Sequence, residues 1–151
     1  MLDYTKLKTL RETTGISFSL CKKALEETNN DLKAAEKKLS DWGIEKALQK
    51  AKRGTGNGVI ASYVHHNKKI AAMIELNCET DFVANNQDFQ TLAQELAMQA
   101  ASIKTKNEKV DELLLTEYIR EPGKTISDLI KEAILKFGEN IKLKRFVRWS
   151  I

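Results

Sequence analysis

The chain has 151 residues, a formal net charge of +4 and two cysteines. Hydrophobic residues make up 42% and charged residues 30%, a balance that favours a folded soluble protein over a disordered chain. The length suffices for one modest core, or for a small module joined to a second one. A mild positive charge is more often plain surface charge than a nucleic-acid interface, so we expect no direct nucleic-acid partner.

Three features predict the compartment. No apolar run approaches the length of a membrane span, and residues 1–4 lack the pattern of a signal peptide. Cys21 and Cys78 lie far apart without a CxxC spacing, which predicts neither a disulfide scaffold nor a zinc site. We therefore expect a cytoplasmic protein that does not associate with membranes.

The N-terminal part of the chain predicts three short amphipathic helices. Asp3, Ser17 and Asp31 are suited to N-cap positions, and Gly15 and Gly43 are placed to end the first and the third helix. Three such helices can bury a small core.

Residues 44–58 predict a linker, because the half that follows Leu48 is basic and rich in glycine. These glycines do not form a phosphate-binding loop, since no predicted strand precedes them and the GxxxxGK[ST] spacing is missing. We therefore expect no cofactor.

The next segment predicts a β-hairpin with strands over residues 59–64 and 69–77 and a turn at residues 65–68. The turn contains His65 and His66. Neighbouring side chains of a strand point apart and no third ligand is nearby in the sequence, so we expect a solvated turn or a partner contact rather than a metal site.

The hairpin is followed by a polar run that carries Phe82 and Val83 at a loop position. Asn86 then predicts the N-cap of a helix with apolar residues at helical spacing from Phe89 to Ala100. Two interpretations of Phe82 are open. The ring folds back into the core, or it is presented beside Asp81 as a partner-binding side chain.

The C-terminal third begins with a polar connector at residues 104–109, and residues 110–120 suit either a helix or a strand. After a turn at residues 121–124, Thr125 and Asp128 approximate a capping box for a helix that Gly138 ends. A final strand follows. Its predicted core face holds Ile141, Leu143, Val147 and Trp149, with Phe146 on the basic, solvated face.

These elements predict an α+β fold. We expect a helical domain at residues 1–43, the linker at 44–58, and at 59–151 a three-stranded antiparallel sheet packed with helices.

The residues do not indicate an enzyme. Cys78 and His65 could meet across the hairpin, but no carboxylate that would orient them is evident. Glu79 and Asp81 could act as paired carboxylates only in a cleft that so short a chain cannot build.

Four segments carry a resemblance to a known family, and they occur in the family's order. They are Leu-Asn-Cys-Glu-Thr-Asp-Phe-Val-Ala at 76–84, Leu-Arg-Glu-Thr-Thr-Gly at 10–15, Cys-Lys-Lys-Ala-Leu at 21–25 and Gly-Glu-Asn-Ile at 138–141. Together they resemble elongation factor Ts, in its short form with a single core. The resemblance implies that residues 1–43 form a three-helix domain of the ubiquitin-associated (UBA) type.

The resemblance also implies a guanine-nucleotide exchange factor for elongation factor Tu. The family's motif falls on Thr80, Asp81 and Phe82, with Val83 next to it. In the family's mechanism Phe82 inserts between helices of the partner's GTPase domain and disturbs its magnesium site, while Asp81 fixes the loop and hydrogen-bonds at the contact.

A second contact is implied at Arg11, Phe18, Ser19 and Lys22, where the family holds the GTPase domain. Relatives often have two methionines where this chain has Phe18 and Ser19, so one apolar contact is retained and one is lost. His65 matches a position that can carry a partner-contacting histidine. Short members of the family can pair through their sheets, which predicts a homodimer.

Two other functions are compatible with the sequence. One is a basic RNA-binding protein of the translation machinery. The other is an adaptor whose three-helix domain binds ubiquitin-like proteins or peptides, although this would not explain the segment from Thr80 to Phe82.

Overall fold

The computed structural model describes residues 1–104 and 108–151, so the predicted polar connector lies partly outside the described residues. Helices and strands follow the α+β order expected from the sequence. The elements are α1 (Tyr4–Thr14), α2 (Phe18–Glu27), α3 (Leu32–Lys50), β1 (Asn57–Val64), β2 (Ile70–Cys78), α4 (Asp81–Ala84), α5 (Gln87–Ser102), α6 (Val110–Leu115), α7 (Ile126–Phe137) and β3 (Lys142–Ser150).

Helices α1 to α3 form an N-terminal module with its own core, and their predicted N-caps are confirmed. Asp3 accepts hydrogen bonds from the backbone of the first turn of α1, Ser17 does so for α2, and Asp31 for α3. Gly15 ends α1 in the left-handed conformation, with φ of 67°. The module's fully buried side chains include Leu10, Cys21, Leu25 and Leu39.

The prediction that Gly43 ends the third helix is wrong. Helix α3 continues through this glycine to Lys50, and Gly43 is buried where α3 packs against α7. A Cβ atom at Gly43 would stand 3.1 Å from the carbonyl oxygen of Lys131. The glycine therefore permits a close approach of two helices instead of ending one. Leu135 of α7 completes the core of the N-terminal module.

The three strands form one antiparallel sheet, as predicted, and β2 lies in its centre. The hairpin turn lies between His65 and Ile70, whose backbones are joined by a 2.8 Å hydrogen bond from the His65 N–H. Helix α5 packs on one face of the sheet, and the second core lies between them. Its buried members include Ile74, Leu76, Phe89 and Leu96.

The predicted facing of the last strand is half wrong, because a β-bulge interrupts the pairing of β2 with β3. Glu75 pairs with Arg145 and Leu76 with Leu143, so Lys144 is an extra residue in β3. One extra residue reverses the alternation of a strand. Leu143 is buried as expected, but beyond the bulge Phe146 is buried (6% exposed) and Trp149 lies outside (73% exposed).

The ambiguous segment at residues 110–120 is a short helix, α6, followed by irregular backbone with one bridge between Glu117 and Thr125. Gln99 of α5 is 3% exposed and holds this irregular segment by hydrogen bonds to Glu117 and Ile119. The capping box of Thr125 with Asp128 is confirmed. Within residues 1–104 and 108–151, no helix has both the length and the apolar character that a membrane crossing needs.

Candidate partner-binding site

The candidate site lies at the corner between β2 and α5, where the polar run forms one helical turn, α4, instead of an open loop. Thr80 is its N-cap, and the threonine hydroxyl accepts a 3.4 Å hydrogen bond from the Val83 N–H. The predicted N-cap of α5 is confirmed, since Asn86 accepts a 2.8 Å hydrogen bond from the Asp88 N–H. Two capped helices therefore follow each other within a few residues.

Phe82 lies outside the core. Its side chain is 85% exposed, whereas Ala84 is 6% exposed and Val83 packs against the core of the sheet. The interpretation in which the Phe82 ring folds back into its own chain is therefore wrong. An exposed aromatic ring on a short helix that is anchored by buried neighbours can contact another molecule while its own chain stays folded.

The carboxylate that holds this corner belongs to Glu139, in the loop after α7. It accepts hydrogen bonds from the N–H of Glu79 (3.1 Å), from the N–H of Thr80 (3.0 Å) and from the hydroxyl of Thr80 (2.7 Å). The carboxylate of Asp81 is exposed and has no hydrogen-bond or ion-pair partner within the described residues. It is thus free for an external donor.

Cys78 also contributes to the corner. Its thiol donates a 3.1 Å hydrogen bond to the carbonyl oxygen of Thr80. Burial, together with the negative charge of Glu139, raises the pKa of the Cys78 thiol. The group stays a protonated donor and is a poor nucleophile.

Sequence reasoning missed Glu139, although its segment was part of the family resemblance. The partner of Glu139 is 60 residues earlier in the chain, and no short-range pattern signals such a pairing. The only available signal was an acidic residue directly after a helix-ending glycine, which usually indicates a solvated loop.

The N-terminal residues implied by the resemblance lie on the exposed side of α1 and α2. Arg11 and Phe18 line one groove of about 390 Å³, and Phe18 is 49% exposed. Ser19 and Lys22 lie on the exposed surface of α2 outside the groove, where Lys22 Nζ is 3.8 Å from the carboxylate of Glu26. The structure thus brings two of the four residues together in one depression.

His65 is half-buried at the end of β1, and its Nδ1 lies 2.9 Å from the hydroxyl of Tyr63. The expectation that the two histidines point apart is wrong, since the ring centroids of His65 and His66 are 4.1 Å apart. No group of three potential metal ligands occurs within residues 1–104 and 108–151.

The face of the sheet turned away from α5 is apolar and open. It carries Ile60, Met73 and Trp149, which are 63%, 48% and 73% exposed, and Val147 pairs with Met73 across the strands. The carboxylate of Glu75, which forms ion pairs with Arg145 (2.8 Å) and Lys144 (3.9 Å), interrupts this outer face. Exposed apolar side chains on adjacent strands are typical of an interface.

Residues 79–151 match the family model described as Elongation factor TS, and residues 2–51 match the model described as Elongation factor Ts, mitochondrial, N-terminal. The chain is 38% identical to Elongation factor Ts of Thermosipho melanesiensis, in an alignment that covers 100% of this chain and 99% of the relative. The chain belongs to the elongation factor Ts family.

Other members of the elongation factor Ts family differ in length. Elongation factor Ts of Coprothermobacter proteolyticus is 35% identical, over 95% of the relative. Elongation factor Ts of Aquifex aeolicus is 47% identical, but the alignment covers only 51% of it. The chain thus spans about half the length of some relatives that it matches.

Proposed function

We propose that this member of the elongation factor Ts family is the guanine-nucleotide exchange factor of elongation factor Tu. The observation that carries the proposal is the exposure of Phe82 on a capped, anchored turn. The ring is presented in the unbound chain, so partner binding needs no local unfolding to release it.

In this mechanism the ring of Phe82 inserts between helices of the partner's GTPase domain and displaces groups that hold its magnesium ion. The carboxylate of Asp81, free of partners within the described part of this chain, accepts hydrogen bonds from the GTPase domain. Without magnesium the phosphate charge of GDP is poorly compensated, and GDP dissociates. GTP then binds and releases the factor. A factor that weakens the binding of nucleotide to the partner is itself bound more weakly when nucleotide is present.

The energetics require a second contact. To lower the affinity of elongation factor Tu for its nucleotide about ten-thousandfold, the factor needs roughly 5.5 kcal/mol of differential binding. Burial of one phenylalanine side chain contributes only about 1.5–3 kcal/mol. We assign the second contact to the groove between α1 and α2, through Arg11 and Phe18, with Ser19 and Lys22 at its side. His65, at the far end of β1, is a candidate for a weaker contact.

We further propose a homodimer that forms through the outer face of the sheet. The exposed side chains of Ile60, Met73 and Trp149 support this, because a second copy of the same face would cover them. Because the β-bulge turns Trp149 outwards, the outer face is wider than simple alternation of the strand predicts.

The deciding experiment is the release of labelled GDP from elongation factor Tu, with the wild type against Phe82→Ala. We expect at least a tenfold loss of the maximal release rate, with little change in folding, since the ring contributes nothing to the core. Leu115→Ala is the matched control, because Leu115 is also large, apolar and exposed (77%). Equal release rates for Phe82→Ala and wild type would contradict the mechanism.

A further inference from the structure

Two acidic residues on separate loops each accept hydrogen bonds from the backbone of the opposite loop. The Glu139 carboxylate accepts from the N–H groups of Glu79 and Thr80 and from the Thr80 hydroxyl, and the Glu79 carboxylate accepts a 3.0 Å hydrogen bond from the Asn140 N–H. We call this arrangement the carboxylate latch; it consists of Glu79, Thr80, Glu139 and Asn140. Hydrogen bonds to ionised acceptors are roughly twice as strong as those between neutral groups.

The latch acts directly on the turn that carries Phe82. The hydroxyl of Thr80 donates to Glu139 at 2.7 Å and at the same time accepts from the Val83 N–H, so one side chain joins the latch to α4. A helix of four residues has no stability of its own and keeps its orientation through tertiary contacts, here the burial of Ala84 and the hydrogen bond of Thr80 to Glu139. The direction in which Phe82 points therefore depends on Glu139.

The latch also reaches the end of the N-terminal module. Arg53, three residues after α3, lies with Nη1 3.6 Å from the Glu79 carboxylate, and its carbonyl oxygen accepts a 2.9 Å hydrogen bond from the Asn140 amide. Lys50, the last residue of α3, donates through Nζ to the carbonyl oxygen of Gly138. Asn140 is only 2% exposed, whereas the side chain of Arg53 is 56% exposed, so Asn140 is the buried part of this junction.

We propose that Glu139 is a positioning residue for nucleotide exchange: the carboxylate latch holds Phe82 at a fixed orientation relative to the N-terminal module. This inference rests on the proposed exchange function and adds to it the element that aligns the two contacts. A partner held by the N-terminal groove then meets the ring where it must insert, and the two contacts act on one GTPase domain together.

The test combines two measurements on the full chain. Glu139→Ala is expected to lower the maximal GDP release rate at saturating factor at least tenfold, and to accelerate hydrogen exchange of the Glu79 and Thr80 amides at least tenfold. The amides of central strand β2 keep their wild-type exchange rates. Glu139→Gln retains one acceptor oxygen, so we expect smaller changes than for Glu139→Ala in both the release rate and the amide exchange. If Glu139→Ala does not fold, the same two measurements are made on Glu139→Gln.

Glu117→Ala is the matched control. The Glu117 carboxylate also accepts a backbone hydrogen bond within a loop, from the Gly123 N–H at 2.6 Å, but it is not part of the corner that carries Phe82. Loss of this bond is expected to leave GDP release unchanged. If Glu117→Ala slows release as much as Glu139→Ala, the effect is general destabilisation and the positioning role is overturned.

The remaining outcomes separate the two proposals. If wild type accelerates GDP release and Glu139→Ala matches it, the positioning role is overturned, whether or not the two amides exchange faster. If wild type does not accelerate GDP release at all, the exchange function is overturned. The amide exchange of Glu79 and Thr80 then still shows whether Glu139 holds the corner.

Discussion

Gly43 of α3 lies directly against the backbone of Lys131 in α7, so that a Cβ atom at this glycine would stand 3.1 Å from the Lys131 carbonyl oxygen. The N-terminal module is therefore packed onto the rest of the chain through α7. Leu135 extends this contact into the module's core, and Lys136 bridges to Asp88 of α5 with a 2.9 Å ion pair.

This contact predicts the effect of a larger side chain at Gly43. Gly43→Leu must push α3 away from a helical backbone that cannot yield, which we expect to outweigh the gain in helix propensity and to lower the free energy of unfolding by about 1–2 kcal/mol. Gly54→Leu is the control, because no atom lies within 4 Å of a Cβ there, and we expect a change within about 0.5 kcal/mol. Urea unfolding measures both; equal effects would show that α3 does not pack closely on α7.

We expect Phe18, in the groove between α1 and α2, to contribute to the affinity for the partner, and Phe82 to contribute to the rate of GDP release. Phe18→Ala is expected to raise the concentration of factor needed for half-maximal GDP release about tenfold, equivalent to about 1.4 kcal/mol of binding, while the maximal rate is retained. Phe82→Ala should mainly lower the maximal rate. Leu48→Ala, which removes another exposed apolar side chain (75%), is the control. A loss of maximal rate in Phe18→Ala would place Phe18 in the exchange step itself.

If the dimer forms through the outer face of the sheet, an acidic residue introduced on that face should dissociate it. Met73 lies in the central strand between Ser62 and Val147, so Met73→Glu would bury a carboxylate in the middle of the interface. We expect sedimentation at micromolar concentration to show a dimer for wild type and a monomer for Met73→Glu. Ile119→Glu, at an exposed site beside α5 and not on the outer face, should stay dimeric. A monomeric wild type would contradict the dimer.

Tyr118 predicts a loss of stability at high pH. Burial, and then the 3.0 Å hydrogen bond to Glu95, raise the pKa of Tyr118 to about 12, above its ordinary value of 10. The unfolded chain therefore loses this proton first, and the stabilisation present below pH 10 is lost as the pH rises towards 12. The difference in unfolding free energy between wild type and Tyr118→Phe should shrink over this range. A constant difference from pH 9 to pH 11.5 would contradict the assignment, and Tyr4→Phe serves as the control for an exposed ring.

Local chemistry was readable from the sequence because it acts over a few residues. A short polar side chain at an N-cap binds backbone groups two or three positions away, so Ser17 and Thr125 could be placed without the fold. Gly15 and Gly138 were readable for the same reason, since a left-handed residue at the end of a helix favours glycine.

Gly43 shows where this reasoning fails. The same residue type occurs in the interior of a helix when another backbone must come close, and the sequence around Gly43 contains no sign of Lys131. The predicted facing of the side chains in β3 is wrong for a similar reason. A one-residue bulge opposite Glu75 is a property of strand pairing, and it exchanges the facing of Phe146 and Trp149.

From sequence alone came the order of elements, the caps of most helices, the resemblance to elongation factor Ts and the suspicion that Phe82 has an external role. These depend on spacing within one segment or on motifs that lie within it. Only the tertiary structure decided that Phe82 is exposed, that Glu139 holds its corner, and that α3 packs on α7. The reason is physical: burial and hydrogen bonds between groups 60 residues apart arise only when distant segments pack, and neither leaves a periodic trace in the chain.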